Sequence, residues 1–147
     1  MVRRDFVKRK IHLISEDLGK LLPFKDSTFD EIIGDVVKIA AVERFLERIV
    51  MRAIDINEHL ISELSTGKEE RSTRLAYRDT FLKLVEFKIL PKDFAEKIAL
   101  STGLRNILVH DYNDTDHRIV YSSIKQCLQD YQIYIDHVLR FLDKPNK

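Results

Sequence analysis

The chain has 147 residues, 44% hydrophobic and 33% charged, and 25 basic against 24 acidic side chains leave a formal charge of +1. That length suits one domain with a single apolar core, and the composition is that of a soluble globular protein with long exposed helices. Four Gly and three Pro are too few for the turns of a β-rich fold, and one cysteine excludes an internal disulfide and fits a reducing, cytoplasmic setting. No apolar run approaches the roughly 18 residues of a membrane span, and the basic N-terminal stretch has no signal-peptide core.

Phe6, Val7, Ile11, Leu13, Ile14, Leu18 and Leu21 recur at helical spacing and predict a first helix, ended by Pro23. Its start carries Arg3, Arg4, Lys8, Arg9 and Lys10 against Asp5 alone, a solvated helix start or a local basic patch. Thr28 and Glu31 then make a capping-box pattern. From there Ile32, Val36, Ile39, Val42, Leu46, Ile49, Ala53, Ile56 and Leu60 step by three or four towards Leu64, predicting one very long second helix. Gly34 is the place for a bend, and Ser65, Thr66 and Gly67 form the stop.

Arg44, Arg48 and Arg52 lie one turn apart on that helix. They read as a track for a nucleic-acid backbone, or as a face neutralised by Glu47 and Asp55. Asp55 and His59 read either as a carboxylate orienting an imidazole or as an exposed polar pair.

After a polar stretch, Leu75, Phe81, Leu84 and Val85 mark a third helix, and Pro91 opens a fourth with Phe94, Ile98 and Leu100. Gly103 is placed to break or kink it. Asn113, Asp114, Thr115 and Asp116 form a turn before a last helix with Ile119, Ile124, Leu128, Tyr131, Ile135, Val138 and Leu142. Tyr121, Tyr131 and Tyr134 read as core or interface residues and Cys127 as a small core residue. With no repeat or linker, residues 1–147 are expected to form a single all-α antiparallel bundle of four to six helices.

Between the fourth and last helices stands Arg105-Asn106-Ile107-Leu108-Val109-His110-Asp111-Tyr112. Arg offers a planar fork of donors matched to phosphate oxygens, and His changes protonation near neutral pH. Together they can hold an RNA phosphodiester and move protons around it without a metal. On a wheel of about 100° per residue, Leu104, Ile107 and Leu108 form the buried stripe, Arg105 and Tyr112 share one flank, and Asn106 and His110 share the other. Arg105 and His110 then stand about 140° apart, so one copy does not close neatly on one phosphate. A distorted helix would close the gap, and so would a second copy across a two-fold interface, which Val109 between the flanks suits. In the bland alternative, Arg105 pairs with an acidic neighbour and His110 with Asp111 caps a helix end.

The string Gly103-Leu104 through Asp111-Tyr112, with its R-x-x-x-x-H-x-Y spacing, resembles the signature of the HEPN superfamily, within it the HepT-type toxin ribonucleases. The stretches Glu43 to Arg48 through Ile56 and Tyr77 to Phe81 through Leu84 look like the long second helix and the following helix of HepT proteins. The resemblance implies an all-α bundle that dimerises, with Arg105 and His110 as catalytic residues lining an RNA-cleaving cleft and Asn106 and Asp111 supporting them. It further implies a cognate nucleotidyltransferase antitoxin of the MNT type that adds AMP to Tyr112. A non-catalytic HEPN module binding RNA or that partner, and a helical dimerisation scaffold, are the alternatives.

Asp111, Asp114, Asp116 and His117 superficially suggest a metal loop. No glycine provides the sharp turn such loops use, so cap and turn chemistry is expected, with no metal and no cofactor. No nucleophile elbow, phosphate loop or dinucleotide fingerprint is present.

Overall fold

A computed structural model describes residues 1–65, 75–110 and 117–144, and for Val109 and His110 the backbone only. The fold is all-α, with no strand among the described residues. The helices are α1 (Arg4–Leu21), α2 (Phe29–Ile33), α3 (Val36–Leu64), α4 (Tyr77–Glu86), α5 (Lys92–Ala99), α6 (Thr102–His110) and α7 (His117–Leu142), with a 3-10 turn at Leu22–Phe24. Six of them reach eight residues or more, and α2 is a single capped turn.

The 29-residue α3 is the axis of the bundle. It buries Ile39, Val42, Leu46, Ile49, Ala53, Ile56 and Leu60, the stripe expected from the period. Val7, Ile11, Ile14, Leu18 and Leu21 of α1 meet it, each burial stabilising by about 1.5–3 kcal/mol against an exposed side chain. The two helices run antiparallel. The amino-terminal Met1 bonds Glu63 near the end of α3, Lys10 bonds Asp55, and Asp17 reaches Arg48 and Arg52. The core closes with Phe81, Tyr131 and Tyr134, whose ring centroids lie 5.7 to 6.5 Å apart. Tyr131 and Tyr134 are core residues, as is Cys127, whose thiol burial and then Asp130 push up to about 12.

Two boundaries differ from the sequence reading. The expected long second helix does not begin at Thr28. Thr28 caps α2, accepting from the Glu31 N–H at 3.2 Å while its own N–H donates to Glu31 Oε1 at 3.0 Å. Those bonds from Thr28 hold the Glu31 carboxyl below the usual carboxylate range. The chain then breaks rather than bends. Asp35 takes extended dihedrals and accepts from the N–H groups of Val37 and Lys38 at 2.9 and 3.2 Å, starting α3 afresh. An Asp that satisfies two orphan donors of a new helix competes successfully with continuation of the old one.

The break expected at Gly103 falls earlier. The Ser101 and Thr102 hydroxyls donate to the carbonyls of Ile98 and Ala99 at 2.6 and 2.8 Å, ending α5. Gly103 lies in the first turn of α6. Among the described residues no helix is long and apolar enough to cross a membrane.

Candidate functional site

Short helix α6 carries most of the Arg–His motif, and its placement follows from its apolar side. Leu104 is buried and Leu108 is half-buried against the core, while Ile107 helps line a cavity of about 450 Å³ between α6 and α7. The expected stripe therefore faces inward, most completely at Leu104. Asn106 is exposed on one flank of that stripe and Arg105 half-buried on the other.

Arg105 does not pair with a carboxylate among the described residues. Its guanidinium carbon sits 5.2 Å from the centroid of the Tyr77 ring, at the first residue of α4. A ring face attracts the cation through its quadrupole and leaves the in-plane N–H groups free to donate elsewhere. His110 is the last residue of α6, about 7.5 Å along the axis and about 140° around it from Arg105 on a regular helix. The His110 side chain, and all of Asp111 and Tyr112, lie outside the described residues. So do Asp114 and Asp116. Among the described residues no cluster of three His, Cys, Asp or Glu could hold a metal ion.

The three arginines of α3 each have an acidic partner. Arg44 bonds Glu47 at 2.9 Å, while Arg48 and Arg52 both turn to Asp17, at 3.2 and 2.6 Å. Asp17 has no exposed surface, so two cations answer one buried carboxylate, the condition under which a buried charge is tolerated. The face-neutralising pairing describes these residues in the fold, with Asp17 rather than Asp55 as the principal partner. Asp55 instead takes Lys10 at 2.9 Å, and His59 Nε2 accepts from the Arg3 N–H at 2.9 Å. The carboxylate–imidazole pair of Asp55 and His59 is therefore not made. In the N-terminal basic run, Arg4, Lys8 and Arg9 remain exposed.

A chain of buried hydrogen bonds, which the sequence reading missed, leads up to Tyr77. The Tyr134 hydroxyl donates to Asn57 Oδ1 at 2.6 Å, Asn57 Nδ2 donates to Thr80 Oγ1 at 3.1 Å, and the Thr80 hydroxyl donates to the Tyr77 carbonyl at 2.7 Å. Asn57 was detectable as a polar residue among the apolar positions of α3. The pairing of Tyr77 with Arg105 had no sequence signal, because they sit on different helices.

Residues 14–138 match the family described as ribonuclease HepT-like. The chain belongs to the HepT-like ribonuclease family. Among the relatives, the tRNA nuclease HepT of Aphanizomenon flos-aquae is 33% identical over 136 residues, covering 92% of this chain and 89% of that protein. The mRNA nuclease HepT of Shewanella oneidensis is 30% identical over 130 residues, 88% of each chain. In three dimensions, a chain from the crystal structure of a toxin–antitoxin with AMP-PNP superposes with a TM-score of 0.80 at 22% identity, covering 93% of this chain and 99% of that one. A tri-AMPylated Shewanella oneidensis HEPN toxin in complex with an MNT antitoxin gives a TM-score of 0.79 at 22% identity, over 94% and 99%. At those identities the superpositions establish the shared HEPN fold.

Proposed function

We propose that this HepT-like chain is the toxin of a toxin–antitoxin system, a metal-independent endoribonuclease that cuts RNA with Arg105 and His110. The observation that carries the reading is the Arg105 guanidinium, stacked on Tyr77 with no carboxylate partner among the described residues, on the helix that ends at His110. The named activities of the two HepT relatives, on tRNA and on mRNA, support RNA as the substrate class.

Arg105 holds the scissile phosphate and stabilises the charge that grows on its oxygens in the transition state. His110 takes the proton of the ribose 2′-OH, or protonates the leaving oxygen. The 2′ oxygen bonds to phosphorus, the bond from phosphorus to the 5′ oxygen breaks, and that oxygen leaves with a proton. The products are a 2′,3′-cyclic phosphate and a 5′-hydroxyl. Asn106 and Asp111 support the pair. The angular separation of Arg105 and His110 favours a homodimer, in which a second copy completes the cleft across a two-fold axis.

Tyr112, two residues beyond His110, is the acceptor for AMP, which a cognate MNT-type nucleotidyltransferase transfers from ATP: the phenol oxygen loses its proton and bonds to the α-phosphorus as pyrophosphate leaves. The AMPylated Shewanella toxin in its MNT complex supports this. An added phosphate and adenine would occupy the place of substrate phosphate and repel RNA. Intact mass after co-expression with the partner should rise by AMP in the wild type and not in Tyr112→Phe; modification of that variant would refute the assignment.

The direct test of the activity is the end chemistry of cleaved RNA. Cyclic phosphate ends are expected, and Arg105→Ala should lower the rate roughly 100-fold, the scale of one lost transition-state donor. Linear 3′-phosphate or 5′-phosphate ends as the primary products would overturn the mechanism.

A further inference from the structure

Arginine in a phosphate site has two problems to solve at once. Its long side chain must be held still, and whatever holds it must leave the donor edges unused. A carboxylate solves the first by defeating the second, since it takes the N–H groups that phosphate needs. The Tyr77 ring solves both: it faces the Arg105 guanidinium at 5.2 Å, and among the described residues no acid competes.

The turn that carries the ring is itself tied to the core. Tyr77 opens α4, whose first turn has no side-chain cap, so the position of that turn depends on tertiary bonds. The one that crosses to α4 is Asn57 to Thr80, and the Thr80 bond to the Tyr77 carbonyl lies within that turn. Tyr134 on α7 donates to Asn57 on α3, Asn57 to Thr80, and Thr80 to the Tyr77 carbonyl. The bonds of Tyr134 to Asn57 and of Asn57 to Thr80 are buried away from water, while the last, from Thr80 to the Tyr77 carbonyl, is partly buried.

We propose that Tyr77 is the positioning residue for Arg105: its ring face orients the guanidinium with the N–H edges open to an RNA phosphate, and the Tyr134–Asn57–Thr80 chain holds that ring in place. The proposal rests on the nuclease reading above. It adds a residue outside the Arg–His motif on which catalysis depends.

The test compares Tyr77→Leu with Tyr77→Phe in the full-length protein, using bulk tRNA and an mRNA transcript as substrates. Leu keeps an apolar body at this half-buried position and removes the ring; Phe keeps the ring and removes the hydroxyl. Tyr77→Leu should lower kcat roughly 10- to 100-fold, the scale of a reacting group displaced by about an ångström, and Tyr77→Phe should restore it. In an Arg105→Ala background, Tyr77→Leu should add little further loss, since the two act as one unit. Full activity in Tyr77→Leu, or an equal loss with and without Arg105, would overturn the proposal.

A second measurement does not depend on turnover. The Arg105 Nε–H proton should be displaced upfield by the ring current in the wild type and in Tyr77→Phe, and return to the ordinary Arg range in Tyr77→Leu. An undisplaced wild-type resonance overturns the proposal, even if Tyr77→Leu fails to fold. A wild type that cuts no RNA while the resonance is displaced would instead refute the nuclease reading.

Discussion

At the level of single residues, the cations that hold the fold contrast with Arg105, which has no acidic partner among the described residues. Arg48 and Arg52 are anchored on the fully buried Asp17, whereas Arg105 rests on an aromatic face. Replacing Asp17 with Ala would leave two guanidinium groups facing apolar α1. Both are partly exposed and can turn to water, so the expected loss is about 2–3 kcal/mol rather than the larger cost of a fully buried orphan charge. Denaturant unfolding of Asp17→Ala checks this; a midpoint equal to wild type would mean the ion pairs contribute nothing. Asp17 sits between Ile14 and Leu18 on the apolar stripe of α1, so its burial was legible in the pattern. Its two partners were not, because the stripe does not say which residue of α3 comes opposite.

At the scale of elements, the period of apolar residues predicted α1, α3 and α7 well, because long amphipathic helices write their buried face into the sequence. It failed at Gly34–Asp35. Ile32 and Val36 keep helical spacing across a break that the Asp35 side chain makes by capping α3. Gly34 is required there for a different reason. Its N–H donates to the Asp30 carbonyl at 2.8 Å, and a Cβ added at Gly34 would meet that same backbone oxygen at 2.8 Å. Gly34→Ala would gain about 0.4–1 kcal/mol by restricting the unfolded chain. A backbone clash costs about 1–3 kcal/mol, so net destabilisation is expected. A thermal midpoint at or above wild type would show that the turn opens freely.

At the scale of the whole molecule, the all-α HEPN architecture was legible from composition, periodicity and the Arg–His string together, and the family match spans residues 14–138. The site was legible only in part. The motif announced Arg105, but the ring that holds it arrives from α4 and the chain that holds the ring from α3 and α7. Such contacts join residues distant in sequence, and one sequence carries no trace of them.

The separation of Arg105 and His110 around α6 also belongs to this scale, since a second copy would complete the cleft. Sedimentation at micromolar concentration should therefore show a species of twice the 17.3 kDa chain mass. A 17.3 kDa species alone would exclude the shared cleft.

In the proposed mechanism Arg105 and His110 cut RNA without a metal ion. The most direct measurement is RNA cleavage in excess EDTA by the wild type and by His110→Ala, side by side. The wild type should cut as fast as without chelator, and the variant should lose roughly 100-fold or more, the scale of a missing acid–base group. Cleavage abolished by EDTA, or undiminished in His110→Ala, would contradict it.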